Sequence, residues 1–223
     1  MLLFTRPAEP SDFAKKVKAA KEHVAAAVNE GRPLDSKHDF DSIWSQFKDL
    51  FSQAQKGKCG FCERDVRTCF GGDVEHYRPK NGIEELPPDE ADRGLEDEFT
   101  GKLRRKRNLS DAFKSGYWWL AYEWSNYLVA CPRCNRTWKR CLFPIAEART
   151  KKPDPEDAET PLLLNPFGPE DPTQHLAYDE FGQITPRDKS ARGRATIETC
   201  GFGPTPLFST SAAHCRRRSQ PAR

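Results

Sequence analysis

The sequence lacks several things that would narrow its class. No apolar run approaches the roughly 20 residues that cross a bilayer. The opening Met1-Leu2-Leu3-Phe4 is too short an apolar stretch for a secretion signal and has no cationic start. A cytoplasmic location is expected, with no membrane partner. Aliphatic bulk is also scarce: 36% of the 223 residues are hydrophobic against 31% charged, and the mean hydropathy is −0.82. Five Trp within an 11% aromatic content still supply a modest core, and a metal staple would help a core this thin. No internal repeat is present. The net charge of +3 does not by itself mark a nucleic-acid binder. Its distribution says more. Lys102, Arg104, Arg105, Lys106 and Arg107 form one basic run, and Arg133, Arg136, Lys139 and Arg140 a second. Such runs bind phosphates through ion pairing and counterion release, although the first, taken alone, reads better as a solvated face.

Residues 11–30 are expected to form an amphipathic helix, capped by Ser11 or Asp12, with Phe13, Val17, Ala20 and Val24 at helical spacing. A second helix is expected from about Asp39 to Gln55, with Ile43, Trp44, Phe47, Leu50 and Phe51 on one face. Residues 81–116 are polar, mixed in charge and poor in apolar anchors, as an insertion would be. Tyr117 to Trp124 predicts a short buried helix whose aromatics belong to the core, and Tyr127 to Ala130 a brief strand. A Pro-rich and acidic connector runs from Lys151 to Pro172. Leu176, Tyr178 and Phe181 around Gly182 then suggest a hairpin, with His175 beside it as a structural residue. These segments divide the chain into an N-terminal helical segment (1–57), a central core (58–146) with the insertion at about 81–116, and a connector with a small C-terminal segment (147–223).

Eight cysteines would suit a secreted scaffold, but four of them fall into two CxxC pairs, which without an export signal favour metal over disulfides. Cys59-Gly60-Phe61-Cys62 and Cys131-Pro132-Arg133-Cys134 are matched knuckles, the first bracketed by Gly57 and Gly60. Four thiolates complete the tetrahedral shell of Zn²⁺ and leave no open position, so this zinc is structural. Cys69, Cys141, Cys200 and Cys215 have no partners at metal-binding spacing. The 68 residues between Cys62 and Cys131 far exceed the roughly 15–20 of a zinc ribbon, which places function between the pairs.

Between the knuckles lies Asp73-Val74-Glu75-His76-Tyr77-Arg78-Pro79-Lys80. An adjacent carboxylate and imidazole can supply a hard-metal ligand and a general base. A lone His is more often a satisfied polar group. Here it is followed by Asn126, the second knuckle and Asn135. That order of elements, Cys59/Cys62, Glu75-His76 with Pro79, Asn126, Cys131/Cys134 and Asn135 with Lys139, resembles the HNH endonuclease superfamily. The strings Val74 to Lys80 and Tyr117 to Asn126, with Leu164-Asn165-Pro166 and Asp171-Pro172, narrow the resemblance to the PtuB-like HNH subunits of Septu-type and retron-linked anti-phage systems.

The resemblance implies an α+β fold, mainly helical around a ββα-metal, treble-clef-like core. It implies a DNA-cleaving defence nuclease working beside an ATPase partner subunit. In that reading His76 deprotonates the attacking water, and Glu75 with the side-chain oxygen of Asn135 holds Mg²⁺ or Mn²⁺. Asn126 fixes the loop that orients His76, while Lys139 and Arg136 bind phosphate. Neighbouring strand residues face opposite ways, so Glu75 and His76 share a site only where the strand ends or distorts, which Pro79 permits. Pro132 suits a first helical turn and sets Asn135 and Lys139 at i and i+4. Two departures stand out. Glu75 occupies a position where the family more often has Asp, and the resemblance fades after about residue 200, where residues 208–223 have the look of a truncated or frame-shifted end. A non-catalytic zinc module that binds nucleic acid or a protein also accounts for zinc and basic surface, and a thiol redox protein accounts for the CxxC pairs.

Overall fold

The computed structural model describes residues 1–67, 71–86, 108–109, 116–147, 149 and 159–202. The first basic run (102–107), most of the insertion, Cys69, residues 151–158 of the connector, Cys215 and the C-terminal tail lie outside them.

Helix α1 spans Phe13–Asn29 and buries Phe13, Val17, Ala20, Val24 and Ala27, the spacing that a 3.6-residue period predicts. Asp12 precedes it, but its carboxylate pairs with Lys16 at 2.9 Å and does not cap the backbone. The second helical stretch is shorter than expected. A 3₁₀ turn at Ile43–Phe47 leads into α2, Lys48–Ala54. Asp39 is diverted from it: its buried carboxylate takes the Arg32 guanidinium (3.0 Å) and the Asp35 N–H (2.6 Å), which fixes a turn where a helix would begin. Leu50 faces solvent and Phe51 is fully buried, so the helix presents one residue of that pair rather than both.

At the centre, β1 (Asp73–His76) pairs antiparallel with β4 (Tyr127–Ala130), with Asp73 opposite Ala130 and His76 opposite Tyr127. Gln55, fully buried at the end of α2, acts on this ribbon as an extra strand residue would. Its Nε2 donates to Val129 O (2.8 Å) and its Oε1 accepts from Val129 N (2.7 Å). The chain leaves β4 directly into Cys131 and winds from Arg133 to Lys139 as a π-helix, with Arg140 N–H reaching back to Asn135 O at 2.8 Å. Such wide turns recur at functional sites. Two strands and a following helix thus flank the four cysteines in a small α+β arrangement.

The aromatic stretch after the insertion is not one helix. It forms two 3₁₀ turns, Trp118–Leu120 and Trp124–Asn126. The carbonyls that a continuing helix would use are taken elsewhere. Leu120 O accepts from Asn126 Nδ2, and Ala121 O meets both His76 Nε2 and the Tyr127 hydroxyl. Tyr117, Tyr122 and Trp124 are buried, and Trp118 and Trp119 pack on the core, as expected for core residues.

Short strands β2 (Glu84–Glu85) and β3 (Asn108–Leu109) pair antiparallel. The chain returns at Gly116 against the segment it left: Tyr117 N–H donates to Pro79 O at 2.9 Å. Gly116 sits at φ +58°, and a Cβ there would lie 2.7 Å from Asn81 N, so only glycine fits this crossing. A buried network ties the same region down. Glu159 accepts from Arg78 and from the Tyr117 hydroxyl (2.7 Å), and Arg149 joins Tyr117 (3.0 Å) to Glu85 (2.6 Å).

The predicted hairpin forms as β5 (Leu176–Tyr178) and β6 (Ile184–Pro186), with Phe181 exposed at its tip. His175 is structural here, bridging Ser190 Oγ (2.8 Å) and Glu170 (3.1 Å). Helix α3, Ala191–Cys200, was not anticipated, although Ser190 as its cap and Gly201 just past its end are the marks of such a helix.

Candidate functional site

The four predicted cysteines converge. The sulfurs of Cys59, Cys62, Cys131 and Cys134 lie within 4.8 Å of one another, three of the residues buried and Cys62 partly so. A tetrahedral Zn²⁺ with Zn–S near 2.3 Å requires sulfurs about 3.8 Å apart, and Cys62 Sγ to Cys131 Sγ is 3.6 Å. Backbone amides already point at the sulfurs: Cys131 N–H donates to Cys59 Sγ (3.2 Å) and Cys134 N–H to Cys131 Sγ (3.5 Å). The first knuckle closes tightly because Gly57 and Glu63 both adopt left-handed φ. Its Gly60 N–H bonds Val129 O at 2.9 Å, which sets it against β4. Hydrogen bonds from Cys134, Cys59 and Cys62 pull the Cys131 thiol far below its ordinary value, while Cys59 and Cys134 are pushed well above theirs by the shared proton with Cys131. Cys62 is lowered as well, so two of the four thiols are pulled down and two pushed up; a soft dication favours the thiolate form of all four. The donor set fits a single metal ion such as zinc.

Beside this cluster, a cleft of about 280 Å³ is lined by Glu75, His76, Lys80, Asn135, Arg136 and Arg140, among others. Glu75 and His76 leave β1 on opposite faces, as the strand period requires. The Glu75 carboxylate meets the π-helix through Lys139, whereas the His76 imidazole packs edge-on to Trp44 (4.6 Å between centroids) and Tyr127 (5.3 Å). β1 ends at His76, so both still border one cavity.

The His76 ring is held in one tautomer. Nε2 lies 2.9 Å from Ala121 O, and a carbonyl only accepts, so Nε2 carries the proton and Nδ1 keeps its lone pair. Burial, reinforced by the charge on Lys80, pushes the imidazole down to about 3, with the Ala121 hydrogen bond opposing. The ring is therefore neutral at neutral pH. Burial pushes Glu75 up, and the charge and hydrogen bond of Lys139 oppose that shift.

Asn126 is buried and bonded on every side. Its Oδ1 accepts from Arg78 N (2.8 Å), and its Nδ2 donates to Arg78 O and Leu120 O (both 3.0 Å). It thereby ties the turn after His76 to the carbonyl-bearing loop on which the imidazole leans. Asn135 stands on the π-helix at the cleft, with Nδ2 3.4 Å from Asp73 Oδ2.

The predicted phosphate binders are placed differently from expectation. Lys139 does not reach solvent. Its ammonium is fully buried between Glu75 Oε1 (2.6 Å) and His76 O (2.9 Å), because strand β1 and the π-helix close over it. Arg136 is exposed but gripped by Asp73 through two bonds, 2.9 and 2.8 Å. The sequence reading passed over Asp73, Gln55 and Lys80. Asp73 is two residues before Glu75 and so shares its face, a signal that was legible. Gln55 carries no motif of its own, and Lys80 closes the string Val74 to Lys80 with no signal of a separate role.

Among the described residues no helix is long and apolar enough to cross a membrane. No protein-family model matches the chain, and no solved structure matches it. The chain is similar to a Septu protein PtuB of Bacillus mycoides (strain KBAB4), 31% identical over 203 residues. The match takes in 89% of this chain and spans 61% of the length of that relative.

Proposed function

We propose that the chain is the nuclease component of a Septu-type anti-phage system: an HNH endonuclease that uses a divalent metal ion to hydrolyse phosphodiester bonds in DNA. The observation that carries this reading is the meeting of Glu75, His76 and Asn135 at one cleft beside the four-cysteine cluster. Similarity to a Septu protein supports the defence role. An ATPase partner subunit belongs to the same proposal, as do structural zinc at the four cysteines and the ββα-metal identity of β1, β4 and the π-helix.

His76 is the base. With Nε2 fixed on Ala121 O, its Nδ1 lone pair receives the proton of the attacking water. Glu75 and the Asn135 side-chain oxygen would hold Mg²⁺ or Mn²⁺. The fit is chemical: hard ions take oxygen donors, and Mg²⁺ commonly uses one or two protein oxygens with waters and substrate phosphate. A carboxylate has spare lone pairs after Lys139 has bonded Oε1. When bound, such an ion would supply positive charge at the scissile phosphate and at the departing oxygen. Lys139 opposes the upward push that burial gives the Glu75 carboxyl, and Asn126 holds the backbone on which His76 rests. Arg136, positioned by Asp73, borders the cleft as a cation for the flanking backbone.

Plasmid cleavage tests this directly, with Mg²⁺ or Mn²⁺, with and without chelator, with RNA offered as competitor and with the candidate ATPase co-purified. His76→Ala is expected to abolish cleavage. Unchanged cleavage by that variant would remove the base and with it the mechanism. The alternative, a zinc-held binding module, draws on the ion pair that ties Glu75 to Lys139. It predicts nucleic-acid or protein binding indifferent to His76→Ala and no cleavage with any divalent ion.

A further inference from the structure

The cleft is bordered by cations, yet their charges are not equally available. Arg136 is bidentate on Asp73, and Arg140 pairs with Glu84 at 2.8 Å. Lys139, buried behind the cleft, is committed to Glu75. Lys80 differs. Among the described residues it has neither an ion pair nor a hydrogen bond, and its ammonium lies over the rings of Phe40 (4.6 Å) and Trp44 (5.4 Å). Trp44 is the ring that also packs against His76. Two aromatic faces therefore fix the position of this charge beside the imidazole without satisfying its three donors.

From this geometry we infer that Lys80 is the phosphate-binding cation of the cleft, contacting a non-bridging oxygen of the phosphodiester next to His76. The inference rests on the nuclease reading above and names the residue that recognises its substrate's charge. An ammonium partly withdrawn from water gains more from an anion than a solvated one, since the solvation it would lose is already reduced. Burial lowers the proton affinity of Lys80, consistent with a cation waiting for a counter-charge. A phosphate oxygen supplies that charge and accepts from the ammonium, and the same contact holds the phosphodiester in the cleft that His76 also lines. Lys139, expected from the sequence to bind phosphate, is buried on Glu75, and Arg136, expected to do the same, stands exposed at the border of the cleft with Asp73.

The test uses the full chain and a short fluorescein-labelled DNA duplex, with binding followed by anisotropy across a salt series in Mg²⁺ buffer. His76→Ala serves as background so that the duplex stays intact. Lys80→Met keeps the alkyl stem against Phe40 and Trp44 and removes the charge, Lys80→Arg restores the charge, and Lys80→Gln repeats the charge loss should Met disturb folding. The expected result is that Lys80→Met weakens binding about equally for unrelated sequences and lowers the slope of log K against log salt by about 1, while Lys80→Arg recovers it. A merely structural role would shift the melting temperature and leave that slope alone. The inference is overturned if Lys80→Met keeps the parent slope, or if the change belongs to Arg136→Gln or Arg140→Gln instead; the nuclease reading survives either outcome. If the parent binds no duplex at all, the nuclease reading falls and Lys80 falls with it.

Discussion

Lys139→Met separates the buried-pair geometry from the surface role that the sequence suggested. A solvent-facing lysine can be replaced at a cost within about 0.5 kcal/mol. The structure instead buries the ammonium completely, with bonds to Glu75 Oε1 and His76 O. Breaking a buried pair by removing one member typically costs about 3–5 kcal/mol, because the partner charge is left without compensation. Methionine fills a similar volume, so little of the loss would come from a cavity. The pH dependence follows from Glu75. Burial already raises its proton affinity against the opposition of Lys139, and without that opposition the carboxyl rises further. The folded variant then holds a proton at pH values where the unfolded chain has released it, so its stability falls as pH rises through that window and recovers on acidification. Glu75→Gln combined with Lys139→Met removes both charges and should restore most of the loss. Urea unfolding followed by tryptophan fluorescence, with zinc retained and the parent measured at each pH, reads both variants. A Lys139→Met cost below about 1 kcal/mol at pH 8, well under that expected for breaking a buried pair, would refute the reasoning. So would a double variant no more stable than the single one.

Three further outcomes are expected. The chain should carry one zinc per molecule by atomic absorption, and Cys134→Ser should lower both zinc content and melting temperature; a zinc-free chain of unchanged stability contradicts the four-sulfur site. Asn126→Ala should cost about 2–4 kcal/mol by calorimetry, since it removes three interior hydrogen bonds, to Arg78 N–H, Arg78 O and Leu120 O; a loss under half that range would mean that water replaces the amide. His76 gives a pH signature of the opposite sign to that of Glu75 in Lys139→Met. The unfolded imidazole takes up a proton near its ordinary value of 6.5 and the folded one only near 3, so the parent should lose stability on acidification between those values. The slope attributable to this residue is about 1.4 kcal/mol per pH unit, and chemical denaturation of His76→Gln should be shallower by that amount.

The features legible in the sequence were those governed by local chemistry. CxxC spacing announces a shared ion because two thiolates three residues apart already fit one coordination edge. Phe13, Val17, Ala20 and Val24 repeat at helical spacing, and α1 follows. Glu75-His76, Asn126 and Asn135 could be marked as candidates because their order along the chain resembles a known pattern, and the fold brings Glu75, His76 and Asn135 to one cleft. What the sequence concealed depends on tertiary partners. Nothing in Lys139 says that a carboxylate waits across the interface, and nothing in Asp39 says that Arg32 will draw it out of a helix. The Tyr117 to Trp124 stretch has the composition of a helix, but Asn126, His76 and Tyr127 compete for its carbonyls and win. Gln55 was invisible for the same reason, since its value lies in matching the N–H and C=O of Val129, 74 positions away.

The crossing at Gly116 has a consequence for how such a protein can vary. Departure and return are clasped together, Pro79 to Tyr117 through the backbone, and Arg78 and Tyr117 both to Glu159 through side chains. Material added or removed between these anchors acts on a closed loop, and doubling the length of such a loop costs only about 0.6 kcal/mol in closure entropy. Sequence change within this excursion is thus tolerated while the imidazole and its neighbours stay in register.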